Sequence, residues 1–209
     1  MTNLYFLRHG KVDGPAALYG HTDIKVISEH DDLLLTELLK VQHNFTHIVS
    51  SPLQRCKSLA TKFAKASGLP LVIQPQLKEI DFGKLDGMPF ETAKQHWSIL
   101  EKFWLNPAQN PLPNAENLTD FHHRILSIFD QLIIGYKNES ILVICHGGVI
   151  RMLLSVVLEL DWKNPKLFSN LRIENGSISK IVHHENSNFS EVFGIGLPIS
   201  TCARSANND

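Results

Sequence analysis

The chain has 209 residues, enough for one large domain with a substantial core. Its 20 Lys and Arg nearly balance 21 Asp and Glu, and the formal charge of −1 removes the electrostatic case for nucleic acid or an anionic membrane surface, leaving a small molecule as the expected partner. Apolar residues make up 43%, ordinary for a globular chain, and no apolar run approaches the roughly 20 residues of a membrane span.

Residues 4–7 read as a buried strand that reaches Arg8 without the apolar core and cleavage site of a signal peptide. Cys56, Cys145 and Cys202 are odd in number and widely spaced, the pattern of reduced thiols. Both features give a cytoplasmic expectation. A Gly- and Pro-containing loop over 13–23 precedes a helix over 28–40, with Ser28 as its expected N-cap. A strand over 46–50 leads into a helix whose first turn Pro52 marks and which Gly68 ends. Residues 71–74 form a third short strand.

The stretch 77–115 departs from the β-α rhythm, with a helix near 91–105 and a loop holding Pro107, Pro111 and Pro113; it reads as an excursion over the sheet. A helix over 118–134, a strand over 141–145 and an almost wholly apolar helix over 149–160 follow. Strands over 171–174 and 178–182, joined at Asn175-Gly176, are expected to close the sheet as a hairpin, and 201–209 reads as a polar tail. With no repeat, linker or low-complexity block, the expected architecture is one domain over 1–209, an α/β fold.

The chemistry sits at two strand ends, Arg8-His9-Gly10 and Cys145-His146-Gly147-Gly148. In an open parallel sheet ligands bind beyond the carboxyl ends of the strands, so both imidazoles are expected at one edge. A neutral imidazole with one free nitrogen can attack phosphorus, which makes His9 the candidate nucleophile. Arg8, and Arg55 early in its helix, supply forked cationic donors for phosphoryl oxygens; His146 is read as a third donor. Glu79, before Gly83 and Gly87, is the candidate proton donor, with Asp81 as a rival. His21 either lines the entrance or is exposed, and Asp13, Asp23 and Asp86 read as turn residues.

The 11 histidines show no ligand spacing such as H-E-x-x-H. The pairs His122-His123 and His183-His184 read as surface residues, and Cys145 as a buried, inert thiol. No phosphate-loop motif occurs, and Gly194-Ile195-Gly196 lacks the context of a dinucleotide site.

Four ordered motifs resemble the histidine phosphatase, or phosphoglycerate-mutase-like, superfamily: Arg8-His9-Gly10, Ser51-Pro52-Leu53-Gln54-Arg55-Cys56, the stretch 77–87 around Glu79, and His146-Gly147. The resemblance implies a three-layer α/β/α sandwich on a mostly parallel central sheet and a two-step mechanism without metal or cofactor, in which His9 is phosphorylated and then hydrolysed. Arg8, Arg55, His146, Gly20 and Gly147 would bind phosphate, and Glu79 would donate the proton. Gly147 after His146 disfavours the phytase and acid-phosphatase branch, which usually carries His-Asp.

Leu18-Tyr19-Gly20-His21-Thr22-Asp23 looks like the corresponding segment of α-ribazole-5′-phosphate phosphatases of cobalamin nucleotide-loop assembly. Lys11-Val12 and Pro15 replace the Glu-Ser and asparagine of family mutases, and Ala115-Glu116-Asn117 stands for a common Gly-Glu-Ser, leaving Glu116 without an assigned role. The expected reaction is phosphomonoester hydrolysis, with a flat leaving group stacked on Tyr19, Phe82 or Trp97. A general small-molecule or sugar phosphatase, a phosphoglycerate mutase and a catalytically silent phosphate-binding module are the alternatives; a homodimer is left open.

Overall fold

The computed structural model describes residues 1–206. Strands β1 (Thr2–Arg8), β2 (His47–Ser50), β3 (Leu71–Ile73), β4 (Ser140–Cys145), β5 (Ile178–His184) and β6 (Phe189–Leu197) form one sheet in the order β3-β2-β4-β1-β5-β6. The pairs β2/β3, β2/β4 and β1/β4 are parallel, while β5 and β6 add antiparallel at one side. The helices are α1 (Ser28–Lys40), α2 (Gln54–Ser67), α3 (Trp97–Leu105), α4 (Leu118–Gly135), α5 (Gly147–Val157) and the single turn α6 (Lys166–Ser169).

Side-chain alternation splits the core into two faces. Tyr5, Leu7, Ile48, Leu142 and Ile144 pack under α1 and α2. Leu4, Phe6, Val49, Ile141, Val143 and Cys145 pack under α4 and α5. This is the three-layer α/β/α arrangement, and each fully buried Leu or Ile in it contributes about 1.5–3 kcal/mol. The excursion adds a smaller core of Leu85, Ala93, Leu100 and Leu112 around α3.

Several local expectations change. The cap of α1 is Ile27, without a side-chain hydrogen bond, so Ser28 is already helical; the amides of His30 and Asp31 donate to the Ile27 carbonyl. Pro52 lies ahead of α2, whose first amide, on Gln54, donates to the Asp23 carboxylate at 2.6 Å; Asp23 thus caps the helix from a distant loop. Gly68 ends α2 as expected, at φ 75°. The helix expected near 91–105 is a 3-10 turn, Ala93–His96, followed by α3.

The expected hairpin at Asn175-Gly176 does not form. Residues 171–174 are not a strand, because the carbonyls of Leu171 and Ile173 are committed to the Arg151 and Arg8 side chains. The hairpin is β5/β6. In the expected tail, Ile199–Ala206 is a 3-10 segment, and 207–209 lie outside the described residues. His183 is buried against Ser190 rather than at the surface.

Candidate active site

Register sets the site. In the parallel β1/β4 pair Arg8 is opposite Cys145, so the chain leaves both strands at one edge and places His9 beside His146, their ring centroids 5.2 Å apart and edge-on. On β2, Ser50 is opposite Ile144, which delivers Ser51 and the start of α2 to the same edge.

His9 is buried, and its Nδ1 lies 2.7 Å from the Gly10 carbonyl oxygen. That oxygen only accepts, so the proton sits on Nδ1 and Nε2 keeps its lone pair. Burial, then the charges of Arg55 and Arg8, push the His9 pKa down to about 3. The imidazole is therefore neutral and nucleophilic across the physiological range. Asn175 Nδ2 braces the turn, donating to the His9 and Gly10 carbonyls at 3.1 Å each.

Arg8 donates through one terminal nitrogen to the Ile173 carbonyl, while its buried Nε has no protein partner. A buried unsatisfied cationic donor is costly unless a ligand takes it. Arg55 is fully buried and mostly engaged: Nε with His146 Nδ1 at 3.2 Å, Nη1 with the Thr22 carbonyl, Nη2 with the carbonyls of Tyr19 and Gly20. Four of its five N–H groups are thus used, so it brings to the site chiefly charge and one remaining donor.

Two of the expected phosphate ligands also meet protein partners in this arrangement. His146 accepts from Arg55 at Nδ1, so its Nε2 proton goes to Ser51 Oγ at 2.8 Å, and no ring donor is left over. Burial, then Arg55, hold its pKa well below the ordinary value. Gly20 donates its N–H to Asp86 and gives its carbonyl to Arg55; a Cβ there would overlap the Ile80 carbonyl. Gly20 has a structural part in the site, because the Asp86 carboxylate, which also accepts from His21, Thr22 and Phe82, ties the two loops together. Asp86 is thus a scaffold residue.

Glu79 is buried, accepting from the amides of Gly148 at 2.8 Å and Ile80 at 3.1 Å. A Cβ on Gly148 would overlap its Oε1, and one on Gly147 would crowd Arg8 and Arg151, so both glycines allow close approach. The backbone around Glu79 is held by Arg124, which donates to the carbonyls of Gln76, Lys78 and Glu79 and pairs with Glu116 at 2.7 Å. Glu116 thereby gains a role, and it also accepts from the Asp81 amide. Asp81 faces His21 at 3.5 Å and accepts from the Gly83 amide at 2.8 Å.

The sequence reading missed Arg151. It is the lone charged residue of α5, one turn after Gly147, and that isolated cation in an apolar helix was the available signal. Two cavities meet at Glu79, Leu18 and Phe82: one of about 470 Å³ lined by Arg8, His9 and Asn175, the other of about 280 Å³ lined by Arg151 and aromatic side chains. Of the expected stacking residues, Phe82 lines both and Tyr19 the first. Trp97 lies outside, against Trp104, which does line the second. Among the described residues no group of His, Cys, Asp and Glu is arranged to hold a metal, and no helix is long and apolar enough to cross a membrane.

Known proteins share this framework. The "Bifunctional protein Rv2228c" of Mycobacterium tuberculosis is 35% identical over 112 residues, 54% of this chain; the chain thus spans only 31% of that relative's length. The "Probable phosphoglycerate mutase GpmB" of Yersinia enterocolitica is 26% identical over 191 residues, covering 89% of this chain and 87% of that one. The structure of the α-ribazole phosphatase from Shigella flexneri superposes with a TM-score of 0.77 at 21% identity, covering 93% of this chain and 96% of that one. Residues 4–195 match the profile of the histidine phosphatase superfamily, branch 1. With both strand-end histidines at one sheet edge and that match running over nearly the whole chain, the protein belongs to the histidine phosphatase superfamily.

Proposed function

We propose that the protein is a phosphomonoesterase working through a phosphohistidine. The observation that carries this reading is His9: a buried, neutral imidazole with its lone pair on Nε2, beside the unsatisfied Nε of Arg8. His9 Nε2 attacks phosphorus, the P–O ester bond breaks, and Glu79 protonates the departing alkoxide. Glu79 then takes a proton from water as that water displaces His9, releasing inorganic phosphate. Arg8 and Arg55, whose charges act on His9, place positive charge beside the transferring phosphoryl group, and Arg151 next to Arg8 adds to it.

The preferred substrate in this reading is α-ribazole 5′-phosphate, in cobalamin nucleotide-loop assembly. Support comes from the 18–23 segment, the aromatic cavity beside Glu79 and the fold shared with the Shigella enzyme. The likeness to GpmB supports the alternative of a mutase or a sugar phosphatase. The cytoplasmic reading rests on Cys56, Cys145 and Cys202 being odd in number and widely spaced in the sequence.

Brief incubation with labelled phosphomonoester should give an acid-labile, alkali-stable adduct that His9→Ala abolishes. Normal labelling and turnover in His9→Ala would remove the nucleophile assignment. In side-by-side kinetics α-ribazole 5′-phosphate should exceed 3-phosphoglycerate and sugar phosphates in kcat/KM. A tenfold or larger advantage for the sugar phosphates, about 1.4 kcal/mol, would replace the substrate with the general reading.

A further inference from the structure

Arg151 holds an unusual position. Its Nε donates to the Leu171 carbonyl at 2.8 Å, while its terminal nitrogens meet no acceptor among the described residues. A Cβ built on Gly147 would lie 2.9 Å from Arg151 Nη1 and 3.3 Å from Arg8 Nε, so the two guanidinium groups flank one glycine. Burial lowers the Arg151 pKa, yet a guanidinium stays charged, so this cation opens onto an apolar cavity with donors to offer. The cavity, about 280 Å³, begins at Glu79 and Arg151 and continues between Phe82, Phe103, Trp104 and Phe168.

From the His9 cavity, with Arg8 as phosphate donor, the path leads past Glu79 and Phe82 into the cavity that holds one cationic donor and the aromatic walls. A phosphate ester of a nucleoside has matching parts: phosphoryl group, sugar hydroxyls, flat ring. A small carboxylated ester would reach Arg151 but leave the aromatic walls uncovered, and a second sugar would place hydroxyls against rings that offer no partner.

We propose that Arg151 and these aromatic walls form a leaving-group subsite for a nucleoside-like alcohol, with Arg151 donating to the sugar hydroxyl oxygens and the ring system stacked among Phe82, Phe103, Trp104 and Phe168. The proposal rests on the phosphomonoesterase reading, in that the alcohol is the part of the substrate beyond the scissile ester.

The test pairs a ribonucleoside 5′-monophosphate with its 2′,3′-dideoxy counterpart, and includes ribose 5-phosphate and 3-phosphoglycerate. Wild type should prefer the ribonucleotide by about tenfold or more in kcat/KM, and Arg151→Met should reduce that preference to near unity. Phe103→Leu should instead narrow the gap between the ribonucleotide and ribose 5-phosphate, reading the walls in a second variant. Calorimetric titration of the same esters into His9→Ala protein reads the subsite without turnover, so loss of the hydrolase reading and loss of the subsite give different results. Equal binding of the ribo and dideoxy esters by His9→Ala protein, or an undiminished preference in Arg151→Met, would overturn the assignment. A dominant loss on 3-phosphoglycerate would make Arg151 a carboxylate site and overturn it equally.

Discussion

Asn175 and His9 share an acceptor: the Gly10 carbonyl accepts Asn175 Nδ2 at 3.1 Å and His9 Nδ1 at 2.7 Å, while Asn175 Nδ2 also donates to the His9 carbonyl at 3.1 Å. A residue far along the chain therefore orients the carbonyl that sets the tautomer of the candidate nucleophile. Asn175→Ala should lower the rate of phosphoenzyme formation about tenfold and stability by about 1–2 kcal/mol. Rapid-quench labelling and urea titration measure the two effects. A wild-type labelling rate would mean that the Gly176 amide, which donates to the Arg8 and His9 carbonyls, suffices.

Glu79→Gln separates proton donation from positioning. Esters with a basic alkoxide leaving group should slow by about 10²–10⁴, and p-nitrophenyl phosphate, whose leaving group barely needs a proton, by far less. Equal slowing of both would assign Glu79 to positioning. A larger leaving-group effect from Asp81→Asn would move the acid role there.

Arg124 links α4 to the segment carrying Glu79 through three backbone carbonyls and Glu116. Arg124→Met leaves Glu116, mostly buried, without its partner, and should cost about 2–4 kcal/mol. Arg124→Lys should recover little, because one ammonium cannot span the same fork of acceptors. Urea denaturation of the two variants is the check; full rescue by Lys would reduce the interaction to charge alone.

Acid should destabilise the protein in a specific window. The folded pKa of His9, about 3, lies below its unfolded value near 6.5, and burial shifts His146 in the same direction. As pH falls below about 6.5 the unfolded chain binds protons that the folded one refuses. The stability that the neutral His9 ring confers is thus complete above that pH and is lost toward pH 3, at up to about 1.4 kcal/mol per pH unit, and His146 acts in the same direction. Unfolding free energies from pH 7 to 4 should show a shallower slope in His9→Asn; an unchanged slope would contradict the buried neutral state.

Chelation should leave the activity intact. The cavity presents Arg8 and, next to it, Arg151, cations that repel a divalent ion where metal-dependent phosphatases place carboxylates. Activity after EDTA treatment and dialysis measures this. A loss that one divalent ion restores would replace the mechanism with a metal-assisted one.

The amino-acid sequence determined what depends on neighbours in the chain. Apolar runs ending in Arg8-His9-Gly10 and Cys145-His146-Gly147 specified strands with histidines at their ends, and Gly68 closed its helix because it alone tolerates φ 75° without strain. The resemblance of four ordered motifs to the superfamily gathered His9, Arg8, Arg55 and Glu79 into one expected site. Tertiary structure decided the remainder. Asn175-Gly176 has the composition of a hairpin turn, but the carbonyls beside it are drawn to Arg8 and Arg151, so it became a brace for the His9 turn instead. Trp97 and Trp104 are equivalent by local pattern, yet only Trp104 reaches the cavity, since the wall forms where α3, α6 and the Glu79 segment converge. Arg151 reads as one charge in an apolar helix until Gly147 and Gly148 bring it and Glu79 to the same helix end. Local periodicity encodes which side of an element is apolar; which distant side chains share a cavity is set by the packing of whole elements, and that information exists only in three dimensions.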